Sequence, residues 1–517
     1  MSASSRRYLS VWLRRLSTDR IERRFNLPGD KPLIVIEPVK AALRVCALND
    51  AAARLGLKAG MPLADVRAMH PLIDVREAEP AADHALLEAV ADWCDRYTPL
   101  VGLDGPDGLL LDISGCAHLF GGEAALMRDM AARLSRQDLS ARLSAADTVG
   151  CAWAVARYGN PLLVPEGGTQ AALSKLPLMA LRIEDDIVVA LVQAGLKRIC
   201  DVTERPRAPL AARFGSGFLR RLDQALGRED ESIMPRLPVA SCTAELRFAE
   251  PIGHEADVLG TIEKLSREVG LSMERRGEGA RLLQVSLFRA DGKVYRFNAA
   301  AGEPLRDPAR IRRLFSERFV AVGDECDPGF GYDMVRLSAL IVERMDPVQA
   351  GLARDDHGVE LAHLIDRLSA RFGSPRVMRM IPRDTHIPEY AQEAVAAQTS
   401  AQVAKKDLAA CPVEQDSLAP TRPVRLFARP EAIEAIAEVP DGPPIRFRWR
   451  HVMHEIVVAE GPERIAMEWW RDDAGRVLTR DYFRVESRQG MRAWLYRDGL
   501  YERETVSPRW FLHGLFA

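Results

Sequence analysis

Asn49-Asp50-Ala51-Ala52-Ala53-Arg54-Leu55-Gly56-Leu57-Lys58-Ala59-Gly60-Met61-Pro62 is the stretch on which the fold turns. The run Ala42–Leu48 ahead of it has strand character, and Gly56, Gly60 and Pro62 cut the chain after it into short pieces. On either side, Tyr8–Leu13 and Leu33–Glu37 also read as strands, and Ala85–Arg96 carries apolar residues at helical spacing. Leu109–Ile113 is a short apolar run bounded by Gly108 and Gly115, and Ala124–Leu134, Ser140–Ala145 and Thr148–Tyr158 continue an α/β alternation.

A chain of 517 residues is too long for one core, so roughly three to five domains are expected. Apolar content of 47% and charged content of 28% are ordinary for a globular protein, and a net charge of −2 excludes a uniformly basic coat without excluding a local basic face. The cysteines lie singly between Cys46 and Cys411 with no C-x-x-C pair, which reads as reduced thiols rather than a zinc site. Arg14, Arg15 and Asp19 interrupt the first apolar run, and no run approaches membrane-spanning length, so no signal peptide and no membrane partner are expected; the expected location is cytoplasmic.

From about Leu173 to Asp230 the chain reads as short helices, opened by Leu176-Pro177-Leu178 and closed by Gly195, Gly215 and Gly227. Residues 240–345 read as a separate α+β unit, with helices Val258–Val269 and Ala309–Phe319 and a hairpin of Leu282–Ala290 and Val294–Ala299 around Asp291-Gly292. An amphipathic helix is expected in 355–373, with Leu361, Leu364, Ile365 and Leu368 on one face, and residues 391–423, rich in Ala, Gln and Pro, read as a linker. Trp449, Trp469, Trp470, Trp494 and Trp510 fall among short alternating runs separated by Gly turns, so the C-terminal region should be a small β-rich domain.

The opening stretch resembles the fingers motif of Y-family DNA polymerases, where a strand leads into a helix, a Gly turn and a Gly-Met before the next helix. Leu111-Asp112-Ile113-Ser114-Gly115, followed by Leu119-Phe120-Gly121-Gly122, resembles that family's palm strand. Leu176–Asp230 and 240–345 fall where its helix-hairpin-helix thumb and little finger belong. Gly461-Pro462-Glu463-Arg464-Ile465, Trp469-Trp470, Arg480-Asp481-Tyr482 and Trp510–Phe516 resemble the tail of the ImuB group. The resemblance implies a multidomain α+β fold: palm-like 1–25 and 79–165, fingers-like 26–78, helical thumb-like 166–235, little-finger-like DNA-binding 240–345, a helical segment 354–390, the linker 391–423 and a β-rich C-terminal partner domain 424–517. It also implies an inducible mutagenesis system, in which the protein links a RecA-like ImuA protein, an error-prone DnaE-type polymerase and the sliding clamp.

Nucleotidyl transfer needs carboxylates that hold divalent ions against the triphosphate and the attacking oxygen. By the resemblance, Ser10 stands at the first-strand Asp position and Asp107-Gly108 at the Asp-Glu pair, so one carboxylate of three remains. Asp50 and Ala53 stand where active relatives carry the Tyr and Arg that grip the triphosphate; a carboxylate repels it and an alanine offers no donor. The bland reading of Asp104, Asp107 and Asp112 is two turn residues and one local cap or ion pair.

DNA contact needs only donors and positive charge. Residues 261–320 hold thirteen Lys/Arg against eight Asp/Glu, and Arg281, Arg289, Lys293 and Arg296 lie on or beside the expected hairpin. The expected thumb hairpin, Leu181-Arg182-Ile183-Glu184-Asp185-Asp186, has no glycine and three acids, a poor phosphate cradle. Pro347–Leu352 supplies Gln349 and Leu352 as clamp-binding candidates, and Trp510–Phe516 is either docked on its own domain or a partner-binding tail. The expected function is a non-catalytic DNA-binding adaptor in translesion synthesis and the SOS response to DNA damage, holding primer–template or damaged DNA, with no metal and no other cofactor. Two readings compete with it: an active lesion-bypass polymerase using Asp107 with Asp104 or Asp112, and a protein scaffold without DNA affinity.

Overall fold

A computed structural model describes residues 6–40, 42–345, 357–398, 422–423, 425–438, 440–468, 470 and 478–516. The chain divides into two compact units, Met1–Leu352 and Ala353–Ala517.

The first unit opens with β1 (Tyr8–Trp12) and α1 (Leu16–Phe25). Next come β2 (Leu33–Val39), β3 (Ala42–Leu48), α2 (Asp50–Arg54), α3 (Leu63–Met69) and β4 (Asp74–Glu77), which form a small sheet in the order β3–β2–β4 over a core of Ile34, Ile36, Val45, Ala52, Leu63 and Val66. Between α2 and α3, Gly56 and Gly60 take φ of 81° and 86°, which glycine adopts without strain. The chain then returns through α4 (Pro80–Cys94), β5 (Val101–Asp104), β6 (Gly108–Asp112), α5 (Glu123–Arg136), β7 (Arg142–Ala146) and α6 (Val149–Tyr158). These complete an antiparallel sheet, β5–β6–β1–β7, with β1 inside it. Alternation along β1 divides the packing: Leu9 and Val11 join Leu87, Val90, Leu126 and Met130 on one face, while Tyr8 joins Ala152 and Val155 on the other.

The second core continues into α7 (Thr169–Ser174), α8 (Asp185–Gln193), α9 (Ile199–Thr203), α10 (Arg207–Phe214) and α11 (Ser216–Leu226), which meet around Leu173, Leu181, Ile199 and Phe218. At the expected thumb hairpin, Arg182 itself takes the left-handed conformation, φ 55°. Beyond it, β8 (Cys242–Ile252), α12 (Glu255–Arg276), β9 (Glu278–Arg289), β10 (Val294–Leu305), α13 (Pro308–Val322) and β11 (Tyr332–Arg344) build a sheet in the order β10–β9–β11–β8 with α12 packed on β8, β9 and β11 and α13 on β10. The hairpin turns at Asp291-Gly292, whose tip rests on the palm side: a Cβ on Gly292 would lie 2.5 Å from the Gln137 amide.

In the second unit, α14 (His357–Phe372) precedes a two-stranded sheet of β12 (Met378–Pro382) and β13 (Gln392–Ala396). This corrects the linker expectation for 392–396: backbone pairing with β12 gives these residues a strand that composition does not reveal, and 399–421 lie outside the described residues. On α14, Leu361 and Leu364 are about half exposed, Ile365 and Leu368 are partly buried, and Asp366, Ser369 and Ala370 are buried, so the covered face takes in only part of the apolar stripe.

A closed barrel comes next, made of β14 (Arg425–Ala437), β15 (Pro444–Trp449), β16 (Val452–Ile465), β17 (Arg480–Ser487), β18 (Arg492–Asp498) and β19 (Arg509–Leu515). Each strand is antiparallel to the next, and β14 closes on β19. Phe447, Phe483, Val485, Leu495, Trp510 and Leu512 form one core; Tyr482 and Trp494 stack at 4.1 Å in a separate cluster. Trp510–Leu515 is therefore a barrel strand. Trp470 is 61% exposed, and Trp469 lies outside the described residues, as do Gln349 and Leu352. Among the described residues no helix is long and apolar enough to cross a membrane.

Candidate functional site

The palm sheet sets the geometry of the expected metal site. Ser10 is fully buried, lies in register with Leu110 on one side and Ser144 on the other, and its hydroxyl finds no partner. The β1 residue in register with Gly108 is instead Trp12. A ligand shared with positions 107 and 108 must come from that place, since two residues along a strand separate side chains by about 7 Å. By register the place opposite Gly108 belongs to Trp12, two residues beyond Ser10, which alignment of Leu9–Leu13 with the family's first strand puts at the Asp position.

Trp12 Nε1 donates to Asp107 Oδ2 at 2.8 Å. Arg157 of α6 approaches from the other side, its Nη2 lying 3.5 Å from Asp107 Oδ1 and 3.3 Å from Asp104 Oδ2. Its side chain is only 9% exposed, and its guanidinium carbon lies 4.1 Å from the Trp153 ring centre and 5.4 Å from that of Trp12. Burial pulls the pKa of Arg157 below its usual value, against the upward pull of Asp104 and Asp107. Asp112 is occupied locally, accepting from the Ser114 backbone N–H at 2.9 Å.

Divalent ions of the magnesium type need several oxygen ligands with free lone pairs. Here the strand position is an indole, position 108 has no side chain, and the remaining carboxylate of the pair already accepts from an indole and faces a guanidinium. Among the described residues no group of three or more His, Cys, Asp or Glu gathers where it could hold a metal ion. A pair of catalytic cations does not fit these residues.

The fingers-like positions lie at the surface, the Asp50 side chain about half exposed. Asp50 pairs with Arg14 at 2.8 Å and Arg15 at 3.0 Å, bridging the two cations just past β1 and offsetting one of their two charges, and Ala53 is exposed without a donor. Asn49, which motif reading passed over as a marker, is a buried fastener. Its side-chain oxygen accepts from Ala52 and Leu33 N–H, and its amide donates to Glu22 and the Lys31 carbonyl.

In the little-finger-like sheet, three of the four candidate cations are paired. Arg281 meets Glu343 at 2.9 Å, and Arg289 meets Asp291 at 2.5 Å. Arg296 reaches back to α4, meeting Asp92 at 2.8 Å and Asp95 at 2.6 Å. Lys293 is exposed, its ammonium 4.6 Å from the Tyr295 ring. Arg296 is part of a wider junction: Asp333 of β11 binds Arg96 and Arg133, each at 2.9 Å, and Arg336 donates to the Asp95 carbonyl at 2.7 Å. Burial holds the Asp95 carboxyl up to about 6 despite Arg296, Arg236 and Arg336 around it. Beside this junction lies a cleft of about 400 Å³, where Arg96, Arg247, Arg296 and Arg336 share the lining with Asp95, Glu245 and both polar and apolar residues.

The impB/mucB/samB family matches residues 18–157. Protein ImuB of Caulobacter vibrioides (strain NA1000 / CB15N) is 41% identical over 473 residues, covering 90% of this chain and 100% of that protein. DNA polymerase IV of Alkalilimnicola ehrlichii is 25% identical over 225 residues, covering 42% of this chain and 62% of that protein. Among solved structures, DinB from Sulfolobus solfataricus aligns at a TM-score of 0.40 and 16% identity, covering 65% of this chain and 99% of that one.

Proposed function

The chain belongs to the ImuB family of Y-family polymerase-like proteins, and from that premise we propose that it is a non-catalytic, DNA-binding adaptor in error-prone translesion synthesis. Its polymerase-related role in the response to DNA damage comes with the family. The adaptor reading goes further: the protein holds damaged primer–template DNA while a separate, DnaE-type polymerase extends. The observation that carries it is Trp12 in register with Gly108, with Asp107 bonded to the Trp12 indole. Lys293 meets the DNA backbone first, and Arg281, Arg289 and Arg296 join where phosphate displaces their carboxylate partners. Gln349 and Leu352 serve the sliding clamp, and the barrel region serves the RecA-like ImuA protein and the polymerase. Family resemblance is the support for these partners.

Primer extension by the purified protein with Mg²⁺ or Mn²⁺ tests the reading. No incorporation is expected, and robust incorporation would restore the lesion-bypass polymerase. Fluorescence anisotropy with primer–template DNA across a salt series separates the adaptor from a pure protein scaffold, since phosphate contacts give a steep salt slope.

A further inference from the structure

Asp104 and Asp107 converge on one nitrogen of Arg157, which comes from a different element and is almost wholly buried. Their attraction is matched by walls suited to a cation. Trp153 and Trp12 bring ring faces to the guanidinium, and cation–π attraction strengthens where water is excluded. A guanidinium stays charged in such a place where an ammonium tends to lose its proton.

Position 108 gives an independent observation. A Cβ there would lie 2.7 Å from the Asp104 carbonyl oxygen, 2.9 Å from Asp104 Oδ2 and 3.0 Å from Arg157 Nη2. A side chain at 108 would therefore press first on Asp104, and Arg157 would have to yield by a few tenths of an ångström. Trp12 completes the exchange, because one indole both donates to Asp107 and walls Arg157.

We infer that the Arg157 guanidinium is a resident cation, supplying at Asp104 and Asp107 the charge balance that a divalent ion supplies in a catalytic palm. The inference rests on the non-catalytic reading above and deepens it: the site is filled by the protein's own charge rather than merely stripped of ligands. Wild-type stability then owes nothing to Mg²⁺ or Mn²⁺.

Thermal unfolding of the full chain tests this. The first transition of the wild type should move by less than about 1 °C between EDTA and Mn²⁺, whereas Arg157→Gln should lower it by roughly 5 °C. Adding Asp104→Asn and Asp107→Asn to Arg157→Gln should recover most of that loss, because no charge then needs balancing. A triple variant as unstable as Arg157→Gln would show that Arg157 acts by packing alone and would overturn the inference. So would an Arg157→Gln variant as stable as wild type. Should Arg157→Gln not fold, Mn²⁺ electron paramagnetic resonance on the wild type decides. An undiminished free-ion signal supports the resident cation, and stoichiometric uptake abolished by Asp107→Asn overturns it. None of these measurements reads nucleotide incorporation, so failure here leaves the primer-extension result standing separately.

Discussion

At the palm strand, an indole stands in register with a glycine and the one nearby carboxylate of the pair is engaged by Trp12 and Arg157; in the little-finger-like sheet, Arg281, Arg289 and Arg296 are all present and each is engaged by a carboxylate. The first condition is replacement and the second is occupation. A ligand cannot restore a side chain that the sequence lacks. It can displace a carboxylate from an arginine, though with the Arg281, Arg289 and Arg296 side chains only 14–20% exposed this costs more than the roughly 0–1 kcal/mol of a fully exposed pair. The proposed function, without nucleotidyl transfer but with nucleic-acid affinity, asks for both conditions in one polymerase-like unit.

Rebuilding the palm puts replacement to its hardest test. Gly108→Glu forces a Cβ to within 2.7 Å of the Asp104 carbonyl oxygen and adds a third carboxylate around one guanidinium. The expected cost is about 3 kcal/mol, from overpacking and an unbalanced charge, measured as a lowered urea midpoint of the first unit. A Trp12→Asp/Gly108→Glu double variant that kept wild-type stability and incorporated nucleotides would show that the palm had lost nothing irreversible.

The next effect in size is on pH dependence at the junction. Asp95 is held up to about 6, above its ordinary carboxylate value, by burial, with Arg296, Arg236 and Arg336 opposing the shift and Asp92 adding to it. The folded state thus keeps a proton that the unfolded state has released. Its contribution to stability is complete below about pH 4 and is lost as pH rises through about 6, by on the order of 1–3 kcal/mol. Urea unfolding between pH 4 and 7 should show this decline, and Asp95→Asn should flatten it; an unchanged profile in the variant would assign the decline elsewhere.

Much of this architecture was legible because its signals are local. Asn49–Pro62 announces strand, helix and glycine turns within fourteen residues, and Asp291-Gly292 marks a hairpin tip that the structure places there. What was not legible depends on pairing across distance. Barrel closure joins Arg425–Ala437 to Arg509–Leu515, and alternation can suggest such strands without saying that the first meets the last. Trp12 was missed because register, not composition, sets it in line with Gly108. Arg157 lies fifty-three positions from Asp104. Its available signal was a single charge in the apolar run Val149–Tyr158, which packs against β1 and β7. The pairing of Arg296 with Asp95 spans 201 positions and left no local trace.

A smaller effect tests whether occupation is reversible. Asp92→Asn removes one of the two carboxylates that engage Arg296. Primer–template affinity should rise about two- to threefold, roughly 0.5 kcal/mol, with a slightly steeper dependence on salt. Unchanged affinity would mean that Arg296 belongs to the junction alone and plays no part in meeting DNA.

The slightest effect is the most discriminating, because it compares residues within one hairpin. Lys293 is exposed and its ammonium lies over the Tyr295 ring rather than against a carboxylate, so a phosphate can approach it without breaking an ion pair. Lys293→Ala should lower the slope of log affinity against log salt by about 1, the change expected for one lost phosphate contact. Arg281→Ala, Arg289→Ala and Arg296→Ala should each lower it by less than about half that, because a paired guanidinium releases fewer counterions from DNA when it changes partner. Equal drops at all four positions would mean that the pairs open fully on DNA and that the sheet is occupied only while free. No drop at Lys293 would place the hairpin off the DNA path, leaving the replaced palm and the occupied sheet as two versions of the same inward turn.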